Sequence, residues 1–153
     1  MRLTQEAINT ISKQAIGEYP SECCGIVTGV DTVLRVHALV NIQERLHAED
    51  PGTHPRTSRE AYAVDRNEVE QIIGEAADRG ETILAFYHSH IDCGAYFSPM
   101  DKEVQTVFGE PEFPDAVHIV VSVQQGAIRE IRGYLWEGRR KDFVEVEVEV
   151  KVE

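Results

Sequence analysis

Apolar positions along the chain change period several times, and each change marks an element. Ile8, Ile11, Ala15 and Ile16 recur at helical spacing behind Thr4, a residue type that caps helix N-termini, and the run stops before Pro20. This predicts a short amphipathic helix. Residues 25–30 and 33–40 are β-rich runs separated by Asp31 and Thr32, the pattern of two strands joined by a tight turn. Residues 41–58 carry Pro51, Gly52, Pro55 and several charges without a sustained period, which predicts a long exposed loop of the kind that often serves function. Asp65 and Glu68 have capping-box spacing, and Val69, Ile72, Ile73 and Ala76 form a stripe that ends at Gly80, so a second helix is expected there. A compact β-type run over 82–87 leads straight into His88, and Ser98 with Pro99 forms an N-cap and first-turn pair that opens a third helix. Residues 117–123, 128–136 and 143–152 give three more strands, punctuated by Pro111, Pro114, Gly126 and Gly138. In the last of these, valines alternate with Glu and Lys, which means one buried and one solvated face. Strands and helices alternate throughout, so the fold class is α/β.

Composition narrows the picture. The 153 residues are 42% hydrophobic, which suffices for the core of a single domain spanning 1–153. Fifteen Lys and Arg face 27 Asp and Glu, and the resulting net charge of −12 argues against a nucleic-acid backbone or an anionic membrane as the main partner. Residues 1–13 lack the apolar stretch of a signal peptide, and the longest apolar runs are far short of a membrane span. A cytoplasmic location is expected. Cys23, Cys24 and Cys93 are too few and too unevenly spaced for a disulfide framework, so they read as reduced thiols.

The chemistry concentrates in His88-Ser89-His90, seven further residues, and Ser98-Pro99-Met100-Asp101. Side chains two apart on an extended strand point to one face, so His88 and His90 can offer two imidazoles to one point. Asp101 falls in the first turn of the helix that Ser98 caps, where the helix dipole favours a carboxylate. Two histidines and one carboxylate can bind zinc and leave a fourth position for water. Zinc so held lowers the pKa of that water to roughly 7 and polarises a carbonyl oxygen. Asp92 and Cys93 are additional candidate ligands in the intervening loop, and spacing alone does not exclude His88, His90 and Cys93 as the set. His37, His47, His54 and His118 show no ligand spacing. The run His88-Ser89-His90-Ile91-Asp92 matches the start of the metallo-β-lactamase pattern, but Cys93 stands where a histidine is required. A zinc deaminase needs a Pro-Cys-x-x-Cys pair, which is absent from the sequence.

With Glu22 in Pro20-Ser21-Glu22-Cys23-Cys24-Gly25, these residues resemble the JAMM, or MPN-plus, family of zinc metallopeptidases, whose pattern is a glutamate upstream of H-x-H-x7-S-x2-D. The segments Phe113-Pro114-Asp115-Ala116 and Phe143-Val144-Glu145-Val146 look like compact prokaryotic members. The resemblance implies a three-layer α/β/α sandwich with a mixed central sheet, related to the cytidine deaminases. It implies one Zn²⁺ per chain, ligated by His88, His90 and Asp101. Glu22 would serve as general base and then acid, and Ser98 would stabilise the oxyanion. It also implies a ubiquitin-like or sulfur-carrier protein as substrate, hydrolysed at an amide at or near its C-terminus. The length of the 41–58 loop separately suggests either a segment that flanks the cleft and grips the substrate tail or a mobile surface loop. Two departures stand out. Ile91 follows the second histidine where the family commonly has proline, and the extra His and Cys residues of the linkage-selective eukaryotic deubiquitinases are missing. The alternative is a catalytically silent MPN module that binds or scaffolds a partner; such modules typically lose ligands, and here all are present.

Overall fold

A computed structural model of the chain describes residues 1–151. Its elements are β1 (Arg2–Thr4), α1 (Gln5–Glu18), β2 (Cys24–Val30), β3 (Val33–Leu39), α2 (Gln43–Glu49), α3 (Arg66–Asp78), β4 (Thr82–Ile91), α4 (Pro99–Val104), β5 (Thr106–Val107), β6 (Glu110–Pro111), β7 (Val117–Gln124), β8 (Ala127–Glu137), β9 (Asp142–Val146) and β10 (Glu149–Lys151). Six strands form one mixed sheet in the order β3-β2-β4-β7-β8-β9, in which only the central pair β4–β7 is parallel.

The sheet buries both faces, and alternation along its strands sorts the core. Cys23, Val27, Ala85, Tyr87, Ile119 and Val121 meet Ile11 and Ala15 of α1 on one side. On the other side Cys24, Ile26, Leu39 and Phe86 meet Val69, Ile72 and Ile73 of α3. Beside that second cluster, Val120 packs with Ala95, Phe97 and Phe143, and with Tyr134 and Trp136. Helices on opposite faces of a mixed sheet make the three-layer α/β/α arrangement expected from the sequence. Among the described residues no helix is long and apolar enough to cross a membrane.

Local rules explain the framing elements. Thr4 caps α1 by accepting from Ala7 N at 3.1 Å. Ile16, expected on the buried stripe, lies at its margin and is 47% exposed. Asp65 caps α3 by accepting from Asn67 N at 2.9 Å, but the anticipated capping box is only half made. Glu68 turns away instead and accepts from Val40 N at 3.2 Å, tying α3 to the end of β3. Cys23 and Cys24 are both fully buried, because β2 lies inside the sheet with a layer on each face. Next to them Gly25 is paired with Tyr87, whose ring occupies the space a side chain at 25 would need: an added Cβ would lie 2.1 Å from the ring.

Three segments depart from the sequence reading. Residues 41–58 are not all loop, since α2 occupies Gln43–Glu49; the helix is short, has no side-chain cap at Ile42, and carries too few apolar positions to show a period. The single strand expected over 143–152 is two strands, β9 in the main sheet and β10 paired in parallel with β1; Val152 lies outside the described residues. The crossing occurs where Val148 passes over Gly133, whose missing side chain leaves room: a Cβ there would be 2.6 Å from the valine. Finally β5 and β6 form a two-residue-per-strand hairpin after α4, too short for a periodic signal.

Candidate metal centre

The centre is built at the end of β4. This strand continues to Ile91, so His88 and His90 remain two apart on an extended backbone and both project to the face covered by α3. The strand is anchored behind them by Ser89, whose Oγ accepts from Cys23 N at 2.7 Å and whose N donates to Cys23 O at 3.0 Å. Chain return brings Ser98 to the N-cap of α4. Its hydroxyl accepts from Asp101 N at 3.0 Å and Asp101 Oδ2 accepts from Ser98 N at 2.9 Å, a capping box with aspartate as its third member.

Asp101 thereby faces both imidazoles. Its Oδ1 lies 3.1 Å from His88 Nε2 and its Oδ2 3.1 Å from His90 Nε2, and the two Nε2 atoms are 3.2 Å apart. One ligand atom from each of the three buried residues lies within 4.8 Å of the others. Zinc–nitrogen and zinc–oxygen bonds of about 2.0–2.1 Å at tetrahedral angles separate neighbouring ligand atoms by about 3.3 Å, close to the spacing found here. Proton accounting points the same way. His90 Nδ1 lies 2.9 Å from Gly94 O, and a carbonyl can only accept, so Nδ1 carries the proton. A neutral His90 then turns a lone pair from Nε2 toward a carboxylate oxygen and a second imidazole nitrogen. Such a cluster of lone pairs fits a cation between them, and the Gly94 carbonyl supplies the bond that fixes the tautomer.

Electrostatics around the centre are strongly perturbed. Burial works against the Asp101 carboxylate, but the two imidazoles set against it and the hydrogen bond from Ser98 N outweigh it and hold its pKa well below the usual range. Burial keeps His88 toward its neutral, metal-ligating form. The Tyr62 ring stacks on His88 with centroids 4.6 Å apart, and its hydroxyl accepts from Gln105 Nε2 at 2.9 Å, so the imidazole is walled on its outer face.

Glu22 and Ser98 line the same cleft as His90 and Asp101. Glu22 sits on the short segment between α1 and β2, after the cis Tyr19–Pro20 peptide. Its backbone is clamped by the 41–58 segment: Glu22 N donates to Ser58 O at 2.8 Å, and Asn41 Nδ2 donates to Glu22 O at 2.9 Å. The side chain is 6% exposed, and its pKa is raised to about 9, chiefly by burial and then by the negative charge of Asp101, with Arg56 opposing.

Four of the five residues singled out from the sequence, Glu22, His90, Ser98 and Asp101, therefore border one cleft, and the fifth, His88, is buried behind it against Asp101. The loop candidates do not join the ligand cluster. Asp92 adopts a left-handed backbone (φ +55°) and turns to Tyr19 OH, Arg59 and Gln125 N, while Cys93 lines the cleft outside the cluster. His118 is buried among Phe86, Phe97 and Phe143, and burial lowers its pKa to about 4. Sequence reasoning missed Tyr62, Gly94, Arg56 and Arg59. Tyr62 is brought to His88 only by the fold, and a carbonyl has no sequence signal; the two arginines had one weak signal, basic residues three apart in an acidic chain.

The chain is 32% identical over 100 residues to the tail tip assembly protein K of Escherichia phage N15, covering 65% of this chain and 34% of that protein. It thus spans about a third of that relative's length. It is 28% identical over 111 residues to the desampylase of Haloferax volcanii, covering 71% of this chain and 67% of that one. Among solved structures, a protein from Desulfitobacterium hafniense superposes with a TM-score of 0.74 at 21% identity, over 99% of this chain and 93% of its own. A JAB1/MPN domain protein from Archaeoglobus fulgidus gives 0.57 at 16% identity, over 99% and 97%. These two establish likeness of fold. The model of the prokaryotic homologs of the JAB domain matches residues 4–135, and the chain belongs to that family.

Proposed function

We propose that the chain is a zinc-dependent hydrolase of an amide or isopeptide bond at or near the C-terminus of a ubiquitin-like or sulfur-carrier protein. The observation that carries this reading is the convergence of His88, His90 and Asp101 ligand atoms within 4.8 Å, on a cleft that Glu22 and Ser98 also line. The name of the Haloferax relative, a desampylase, supports a ubiquitin-like substrate. Zn²⁺ held by the two Nε2 atoms and an Asp101 oxygen would supply an acidified water and a polarised carbonyl in its open position.

The remaining roles fall to the chain itself. Glu22 takes a proton from the attacking water and delivers it to the leaving nitrogen, and burial gives its carboxylate the proton affinity that this exchange needs. Ser98 accepts a hydrogen bond from Asp101 N, which leaves its own hydroxyl hydrogen free to point at a carbonyl oxygen as negative charge develops there. Gly94 O and the Tyr62 ring hold the two imidazoles in place. The test is to measure metal content of the purified chain and its cleavage of ubiquitin-fold fusions, with and without chelator. Stoichiometric zinc and chelator-sensitive cleavage restored by Zn²⁺ are expected; cleavage indifferent to chelator would remove the metal from the reaction.

A further inference from the structure

Two guanidinium groups stand on the rim of this cleft, on the segment between α2 and α3. In a chain with 15 basic and 27 acidic residues, both side chains that this segment sends to the rim as cations, Arg56 and Arg59, border the cavity that also holds His90 and Asp101. Neither plays a part in the reaction described above.

Arg56 has a fixed base and a free end. Gln43 Nε2 donates to Arg56 O at 2.9 Å, and two residues on, Ser58 N and Oγ donate to the Glu44 carboxylate at 2.8 and 2.9 Å. Ser58 O in turn accepts from Glu22 N, so α2 clamps the arginine-bearing segment to the chain that carries Glu22. Among the described residues the Arg56 guanidinium makes no ion pair, and its charge is felt at Glu22. Arg59 is aimed from behind. One of its amino groups donates to Asp92 Oδ2 at 3.2 Å, and Asp92 is itself set by Tyr19 OH and by Gln125 N at 3.0 and 2.8 Å. The rest of the Arg59 fork remains available as donors. Glu60, the acidic neighbour on the same rim, pairs with neither arginine among the described residues.

Arginine forks match carboxylates in shape and charge, and two of them beside a metal centre select a small anion. A polyanion is disfavoured by the net charge of −12, whereas a single carboxylate on a protein tail meets this local positive rim without facing the whole field. We propose that Arg56 and Arg59 form a carboxylate-binding subsite, and that the hydrolase acts on tails that carry a carboxylate close to the scissile amide. This deepens the proposed function and rests on it. The carboxylate has two chemical sources, the terminal carboxylate of a short leaving residue or an acidic side chain beside the bond.

The test uses the zinc-loaded full chain and three ubiquitin-fold substrates. Their C-terminal glycine is amide-linked to glycine with a free carboxylate, to glycinamide, or to aspartic acid capped as the α-amide. At least one carboxylate-bearing substrate is expected to exceed glycinamide in kcat/KM by about tenfold, carried mainly by KM. In the R56Q/R59Q variant that ratio falls to about one, and in R56K/R59K it is only partly regained, because lysine keeps the charge and loses the fork. A gain confined to the free glycine assigns a terminal residue, and one confined to the aspartyl substrate assigns an acidic side chain. The same comparison is made by calorimetric binding of Gly-Gly, Gly-glycinamide and Gly-aspartyl-amide peptides to the zinc-loaded E22Q variant. If no fusion is cleaved, the proposed reaction fails while binding still decides the subsite. In the E22Q background, equal affinity for carboxylate and carboxamide, or a preference that survives the addition of R56Q/R59Q, overturns it.

Discussion

At Glu22 the fold keeps a carboxyl group 6% exposed beside a second buried acid, a placement that costs stability and marks the group as a candidate for chemistry. Glu22→Gln preserves shape and removes the exchangeable proton, so kcat is expected to fall by about 10²–10⁴-fold with bound zinc unchanged. Loss of zinc from E22Q, measured by metal analysis, would instead make Glu22 a structural support of the ligands. Ser98 raises a different question, because a serine before proline caps a helix whether or not anything is catalysed. Ala and Gly separate the two roles. Ser98→Ala loses the cap, at about 1 kcal/mol, while Ser98→Gly costs only a few tenths. Neither has a hydroxyl to donate, so both are expected to lose about 10²–10³-fold in kcat. Thermal melts alongside kinetics decide: activity that follows Tm across the two variants would leave Ser98 as a cap alone.

Between elements, Glu81, on the turn from α3 to β4, ties the two to the neighbouring strands. Its side chain is 4% exposed and receives Arg79 Nε at 3.0 Å, Arg35 Nε of β3 at 2.7 Å and Thr28 Oγ1 of β2 at 2.8 Å. The hydrogen bond from Arg79, then those from Arg35 and Thr28, overcome burial and hold its pKa at about 2 against an ordinary 4.5. A depressed carboxylate pKa contributes stability above the unfolded value and loses it as pH falls through the folded one. Glu81→Gln is therefore expected to melt below wild type at neutral pH, with the gap closing between pH 4.5 and about 2. A gap independent of pH would assign the effect to packing. The elements differ in how far the sequence revealed them, for reasons of length and partnership. The α1 and α3 stripes, the β2–β3 hairpin and the histidine strand were legible because each carries its own period or cap. The split between β9 and β10 was hidden, since valine alternation continues unbroken from Val144 to Val150 while the partner strand changes from β8 to β1. Short α2 and the β5–β6 hairpin had no period to show. His88, His90, Ser98 and Asp101 were legible because their chemistry is packed into one stretch of chain; Arg56 and Arg59 reach the cleft, and Tyr62 reaches His88, only through tertiary packing.

For the molecule as a whole, the sheet separates two sources of stability that should act independently. On the α1 face, β1 pairs with β10, joining residues 2–4 to 149–151, and Leu3 inserts fully buried among Ile11, Val27 and Val121. On the opposite face lie the candidate metal ligands, two of them alternate residues of β4. Leu3→Ala removes a buried side chain and is expected to cost about 2–5 kcal/mol. Zinc at a hundredfold excess over its Kd is expected to raise stability by about 2.7 kcal/mol, since it binds the folded ligand set and the unfolded chain scatters it. Sites that share no partners add, so the zinc increment should be the same in L3A as in wild type, and it should vanish in H88A. Denaturant unfolding of the three proteins with zinc and with chelator measures both terms in one experiment. A zinc increment that shrinks in L3A would mean that the joined ends of the chain help to shape the ligand face through the sheet. An increment that persists in H88A would place the zinc at some other group and detach the centre from β4.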